Sequence, residues 1–217
     1  MKRSLPITAL FVDIGGVLLN NGWDESARRA AAKTFALKRD EMEHRHRLVF
    51  ETYEAGKMTL EQYLSRVVFD EPRSFTRTQF RNFMFAQTKP YFEMIELVRG
   101  IKVRHGLKIF VVSNEGRELN AARIEKFGLS KWVDCFVSSC FVHLRKPDAE
   151  IFRLALDLVQ VPAQQVAYID DRLMFVQVAE GFGLHGIHHT DVDSTAGKLA
   201  ALGLLAERDK ESASGGT

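Results

Sequence analysis

Four places along this 217-residue chain carry groups that could do chemistry together. Asp13 ends the apolar run Ile7 to Val12 and is followed by Gly15 and Gly16. Ser113 and Asn114 end the run Leu107 to Val112. Lys146-Pro147-Asp148 stands ahead of a helical stretch, and Asp170-Asp171 ends the run Val166 to Ile169. Three carboxylates brought to one place repel one another strongly unless a cation lies among them. Hard oxygen donors in that number suit Mg²⁺. A lysine and a hydroxyl beside them suit a phosphoryl group, whose anionic oxygens need compensation.

These groups meet only if the apolar runs are neighbouring strands. Short runs without alternation fit strands buried on both faces of a parallel sheet. Cys135 to Val137 and the weaker His185 to His188 add two more. Helical patterns separate them. Leu119, Ala122, Arg123 and Lys126 read as a surface helix stopped by Gly128. Pro147 fits the first turn of a helix carrying Ile151, Phe152, Ala155, Leu156 and Val159. Alternating strand and helix predicts a doubly wound α/β sheet, which binds ligands outside the carboxyl ends of its strands.

Between about Leu19 and Lys89 the strand signal disappears. Asp24 can cap a helix that begins the Ala27 to Ala32 run. Thr59 with Gln62, and Thr76 with Gln79, form capping-box patterns ahead of two apolar stripes. One stripe is Leu60, Tyr63, Leu64, Val67 and Val68; the other is Phe80, Phe83 and Met84. The expected organisation is an α/β core over 1–18 and 90–206 with an inserted helical domain over 19–89. The polar, Gly/Ser-rich tail over 207–217 is expected to be disordered.

Composition narrows the partners. Lys+Arg 30 against Asp+Glu 28 gives a net charge of +2, too balanced for nucleic acid. No apolar run approaches the ~18–20 residues of a membrane span. Lys2 and Arg3 imitate the start of a signal peptide, but no cleavage site follows in place, so the expectation is cytoplasmic. Cys135 and Cys140 suggest neither a disulfide framework nor a zinc site. His44-Arg45-His46-Arg47 reads as a solvated face, its two histidines pointing to different sides of a helix. Phe80, Phe83 and Phe85 read as packing. Asn20, Asn21 and Trp23 follow the first strand where the insert begins, a position from which they could line a substrate entrance.

Taken together and in order, Phe11-Val12-Asp13-Ile14-Gly15-Gly16-Val17-Leu18, Val111-Val112-Ser113-Asn114, Lys146-Pro147-Asp148 and Tyr168-Ile169-Asp170-Asp171 resemble the four motifs of the haloacid dehalogenase superfamily. The set is most similar to its phosphatase branch, with the glucose-1-phosphatases and the N-terminal domain of soluble epoxide hydrolase. The resemblance implies a Rossmann-like core with a helical cap. It also implies a Mg²⁺-dependent phosphatase acting on a small phosphorylated metabolite, as a monomer or homodimer. Asp13 would be the nucleophile that forms an aspartyl-phosphate. Asp13, the Gly15 carbonyl and Asp171 would hold Mg²⁺, with Asp170 nearby or bound through water. Ser113, the Asn114 backbone N–H and Lys146 would hold the phosphoryl oxygens, and Asn20 and Trp23 would face the substrate. The pattern departs at Gly15, where most such phosphatases carry a second Asp as general acid/base. Glu115, which directly follows the Ser113-Asn114 pair, is the carboxylate that could substitute, although a residue opening a helix more often serves the helix dipole. Three rivals follow: a dehalogenase acting on carbon without metal, a phosphoryl mutase, and a protein that binds a phosphorylated ligand without turnover.

Overall fold

The structure, a computed structural model, describes residues 5–205. The elements run β1 (Ala9–Val12), α1 (Glu25–Thr34), α2 (Arg39–Glu54), α3 (Leu60–Val67), α4 (Arg77–Ala86), α5 (Phe92–His105), β2 (Lys108–Ser113), α6 (Arg117–Lys126), β3 (Cys135–Ser138), α7 (Ser139–Val142), α8 (Ala149–Val159), β4 (Val166–Asp170), α9 (Leu173–Glu180), β5 (His185–His188) and α10 (Val192–Ala201). The five strands form one parallel sheet in the order β3-β2-β1-β4-β5. In register, Val12 lies beside Val111 on one side and Ile169 on the other. The residues that follow these three strands therefore emerge side by side.

Strand periodicity of two explains the layers. Leu10, Val12, Ile109, Val111, Ala167 and Ile169 share one face and pack on Met94, Val98 and Ile101 of α5 and Leu199 of α10. Ala9, Phe11, Phe110, Val112, Val166 and Tyr168 share the other and pack on Ile151, Phe152, Ala155 and Val159 of α8 and Phe175 and Ala179 of α9. Both faces are covered, which is why the strands read as unbroken apolar runs.

The four helices between β1 and α5 bury a separate cluster, with Trp23, Ala31, Met42, Tyr53, Tyr63, Leu64, Phe80 and Met84 at its centre. Leu119 of α6 is the member that the sheet-forming part contributes among its buried residues. Local signals set these helices as expected. Asp24 accepts from the Ala27 N–H at the start of α1. Both capping boxes, Thr59/Gln62 and Thr76/Gln79, are formed. The two segments joining this bundle to the sheet run side by side. Asn20 N–H donates to the Lys89 carbonyl (2.9 Å) and Tyr91 N–H to the Leu18 carbonyl (2.9 Å).

Two local expectations are corrected. Pro147 lies ahead of α8 rather than in its first turn. The helix starts at Ala149 because the Asp148 carboxylate accepts from the Glu150 N–H (3.0 Å). His46 does not belong to a solvated face. It is buried and stacks near Phe50, with 4.3 Å between ring centroids, while His44 and Arg47 stay exposed. The expected disordered tail, 207–217, lies outside the described residues. Among the described residues no helix is long and apolar enough to cross a membrane.

Candidate active site

Asp13 leaves β1 as a buried carboxylate, its backbone N–H donating to the Ile169 carbonyl (3.0 Å) of β4. Its Oδ1 accepts from the Ile14 N–H (2.8 Å). Its Oδ2 lies 3.0 Å from Lys146 Nζ. Lys146 is itself buried, and Nζ reaches Asp170 Oδ2 at 2.5 Å and Tyr168 Oη at 3.2 Å. Its loop is pinned to the end of β2 by a reciprocal pair. Lys146 N–H donates to Asn114 Oδ1 and Asn114 Nδ2 donates to the Lys146 carbonyl, both at 2.8 Å. The ammonium is thus placed by β2 and β4 together.

The three carboxylates meet. Asp13, Asp170 and Asp171 each offer an oxygen, and these oxygens lie within 4.8 Å of one another. Asp170 is the most engaged: Oδ2 takes Lys146 and the Tyr168 hydroxyl, and Oδ1 takes the Arg172 N–H (2.8 Å). Asp171 Oδ1 is buried and has no hydrogen-bond partner among the described residues. Gly16 makes room for that carboxylate. Its φ is +76°, and a Cβ there would lie 2.1 Å from Asp171 Oδ2.

Burial pushes the Asp13 carboxyl up to about 7; Lys146 works against the rise and Asp170 adds to it. Burial, then Asp170, raises Asp171 as well. Burial alone would lower Lys146, but Asp13 and Asp170 outweigh it and hold the ammonium above its ordinary value. A tight set of carboxylates, Asp13 and Asp170 buried and Asp171 half-buried, is the donor set of a hard divalent cation, and these residues fit Mg²⁺. On the other side of Asp13, Ser113 ends β2. Its hydroxyl is buried beside the carboxylate without a well-formed hydrogen bond of its own. Its interaction with Asp13 favours the ionised carboxylate.

A cavity of about 440 Å³ opens over these groups. Asp13, Gly15, Asn114 and Lys146 line its floor, and Trp23, Arg28, His46, Phe50, Tyr53 and Glu54 line the side given by α1, α2 and the segment before them. Trp23 is at the cavity as expected, but its Nε1 is spent on Tyr63 Oη (2.8 Å). Only its ring is left for a ligand. Asn20 is not brought into the cavity lining. Its amide joins the two linkers instead, donating to the Gln87 carbonyl (3.0 Å) and accepting from Lys89 N–H (2.9 Å). Asn21 is the neighbour that lines the cavity. A Cβ placed on Gly15 would lie 2.7 Å from Asn21 Oδ1, so the amide fills the space a side chain at 15 would take.

Glu115 lines the cavity but is a buried partner of Arg123, whose guanidinium also donates to the Asn20 carbonyl. Burial raises its pKa, with Arg123 opposing. It is therefore no exposed dipole-compensating residue. Sequence reasoning missed Tyr168, two residues before Asp170 on the same strand; that spacing was the available signal. It also missed Glu54, at the end of α2. Both Arg145 Nε and Nη2 donate to Glu54 Oε2 (3.0 and 2.6 Å), and the Ser139 hydroxyl donates to the Glu54 carbonyl (2.7 Å). These bonds seat α2 against the loop that carries Lys146.

Several known proteins share this frame. The solved structure of HAD family enzyme BT-2542 from Bacteroides thetaiotaomicron, in complex with magnesium and inorganic phosphate, superposes with a TM-score of 0.68 at 19% identity, covering 82% of this chain and 91% of that one. L-2-haloacid dehalogenase from Xanthobacter autotrophicus gives 0.57 at 16% identity, covering 82% and 75%. In sequence, the sesquiterpene phosphatase astK of Aspergillus oryzae is 27% identical over 120 residues, 52% of this chain and 58% of that protein. The chain thus spans little more than half the length of that relative. The profile of one family, described as haloacid dehalogenase-like hydrolase, matches residues 7–183. That match takes in β1 to β4 with every site group above, and the chain belongs to the haloacid dehalogenase-like hydrolases.

Proposed function

We propose that the protein is a Mg²⁺-dependent phosphatase that hydrolyses a small phosphorylated metabolite through an aspartyl-phosphate on Asp13. The observation that carries this reading is the convergence of Asp13, Asp170 and Asp171 within 4.8 Å beside Lys146 and the buried Ser113 hydroxyl. A relative named as a phosphatase and a neighbour solved with magnesium and phosphate support it.

Asp13, Asp171 and the Gly15 backbone would hold Mg²⁺, which when bound supplies positive charge that lets a carboxylate approach a phosphate dianion. The rest is done by the chain. Lys146 is held by Asp170 and Tyr168 with its ammonium on Asp13, where it orients the nucleophile and meets one phosphoryl oxygen. The Ser113 hydroxyl and the Asn114 backbone N–H donate to others. Asp13 Oδ2 attacks phosphorus, the ester oxygen departs with its electron pair, and water then cleaves the acyl phosphate and restores Asp13. No carboxyl stands at position 15 to protonate the departing oxygen. Substrates whose leaving group is stable as an anion are favoured: acyl phosphates, aryl phosphates and, less so, sugar-1-phosphates. Helices α1 to α4, residues 19–89, act as a cap that covers the cavity and selects the substrate. The protein works in the cytoplasm as a monomer or homodimer.

The likeness to a haloacid dehalogenase favours a second reading, attack of Asp13 on carbon. One assay separates the two. Phosphate release from acetyl phosphate, p-nitrophenyl phosphate and a panel of sugar phosphates is measured with Mg²⁺ and with EDTA, beside halide release from 2-haloacids. Metal-dependent phosphate release, lost in Asp13→Asn, is expected. Metal-independent halide release with no phosphate release would replace the phosphatase with the dehalogenase.

A further inference from the structure

The cavity over Asp13 is lined by charged side chains of both signs, and their pairing leaves two of the cationic ones without a carboxylate partner among the described residues. Its acidic lining residues are all engaged. Asp24 caps α1 and Glu25 pairs with Arg39 (2.7 Å). Glu51 and Glu54 both face Arg145, and Glu115 pairs with Arg123. Asp13 pairs with Lys146. Among the basic lining residues, Arg28 is neutralised by Glu43, with Nε–Oε1 at 2.7 Å and Nη2–Oε2 at 3.0 Å.

Two guanidinium groups are left over. Arg47, on α2, is exposed and makes no ion pair or hydrogen bond among the described residues. Arg172, just past β4, has no carboxylate partner there; its guanidinium lies 5.4 Å from the centre of the Phe175 ring. They come from the two sides of the cavity, one from the helical bundle and one from the sheet. Arg172 sits close enough to Asp171 to act on its charge, whereas Arg47 acts on His46, on the bundle side.

We propose that the substrate carries a second anionic group, a carboxylate or a second phosphate, and that Arg47 binds it, with Arg172 assisting from the opposite wall. The inference rests on the phosphatase reading and narrows it from any small phosphate ester to a dianionic-plus-anionic one. A guanidinium offers several donors in a planar fork that matches either anion, and inside a partly enclosed cavity it meets less screening than on an open surface. Four aromatic side chains, Trp23, Phe50, Tyr53 and Phe175, are also among the lining residues, which favours a compact body between the two anions over a further polar arm.

A leaving-group-matched series tests this. Phenyl phosphate, para-(carboxymethyl)phenyl phosphate and para-(phosphonomethyl)phenyl phosphate are compared in wild type, Arg47→Ala, Arg47→Lys and Arg172→Ala. One or both of the anion-bearing esters is expected to exceed phenyl phosphate in kcat/KM by about tenfold or more, chiefly through KM. Whichever does so separates carboxylate from phosphate. Arg47→Ala is expected to bring that ratio near one, Arg47→Lys to restore part of it, and added salt to shrink it. Equal kcat/KM across the series, or a ratio unchanged in Arg47→Ala, overturns the proposal. A binding arm keeps it testable without turnover. Calorimetry with Mg²⁺ compares benzylphosphonate with para-(carboxymethyl)- and para-(phosphonomethyl)benzylphosphonate. Tighter, Arg47-dependent binding of an anion-bearing compound without any turnover would keep this site while the phosphatase reading falls. Equal affinity would overturn the site whatever the turnover.

Discussion

At the scale of single residues, position 15 carries the most consequence. A carboxylate two residues beyond Asp13 would serve as proton donor, and a group of that kind is typically worth about 10²–10⁴ in rate. Here Asn21 Oδ1 stands where the side chain would go, 2.7 Å from a Cβ built on Gly15. The obstacle is the far end of a flexible side chain and can be removed. Gly15→Asp combined with Asn21→Ala is expected to raise kcat on alkyl phosphates by at least about 10²-fold, with a much smaller gain on aryl phosphates. Steady-state kinetics across leaving groups reads the difference; equal gains on both classes would contradict the account of Gly15. His46 supplies a prediction on stability. Trp23 Nε1–H donates to Tyr63 Oη, so the single Tyr63 hydroxyl proton is free to donate to His46 Nδ1 at 2.8 Å. That chain holds the imidazole neutral. Burial first, then the nearby Arg28, lowers its pKa to about 4. A folded-state value below the unfolded one stabilises the protein above the unfolded value of about 6.5, and the contribution is lost as pH falls from there through about 4. The ceiling on that contribution is roughly 3 kcal/mol. Denaturant titrations of wild type and His46→Gln between those limits should converge as pH falls. A constant gap between them would rule out the coupling.

Elements show where the sequence was legible. β1, β2 and β4 read directly because both faces of each are covered and, apart from Lys108 at the start of β2, every position is apolar up to the polar residue at the strand's end. The strand ends therefore marked Asp13, Ser113 and Asp170 without help from the fold. Caps marked α1, α3 and α4 for a similarly local reason, since Asp24, Thr59 and Thr76 bond within three residues. α2 was opaque. Its buried residues are Met42, Glu43, His46, Tyr53 and Glu54, three of them charged or ionisable groups, Glu43, His46 and Glu54, whose bonds go to α1, α3 and the Lys146 loop. Hydrophobic periodicity has nothing to detect in such a helix, and its partners lie far away in sequence. Asn20 misled for the same reason, because its amide is used by a linker almost seventy residues on. Within the bundle, Phe80 has the most aromatic neighbours. Phe80 is fully buried against Trp23, Phe35, Phe69 and Phe75, with 5.0–6.3 Å between ring centroids. Phe80→Ala should cost about 3–5 kcal/mol, read by denaturant unfolding. A loss below about 1 kcal/mol would mean that these helices do not depend on that cluster.

On the scale of the whole molecule, the sheet and the bundle meet over a floor of charges that is costly as it stands. Asp13 and Asp171 are both raised by burial, and Asp171 Oδ1 has no hydrogen-bond partner among the described residues. A cation bound there removes the mutual repulsion and adds its binding energy to the folded state alone. At a Mg²⁺ concentration a hundred times its Kd the gain is about 2.7 kcal/mol. For a domain of this size that corresponds to a rise in Tm of roughly 5–10 °C. Asp171→Asn should remove most of the rise; an equal rise in the variant would place the metal elsewhere. The central claim, though, is covalent. Rapid acid quench during turnover of p-nitrophenyl phosphate in Mg²⁺, followed by peptide mass spectrometry, looks for the phosphoryl group on the chain. The account predicts the adduct on Asp13, absent in EDTA and in Asp13→Asn. Turnover of the ester with no adduct on Asp13, at times when the intermediate must be populated, would contradict it.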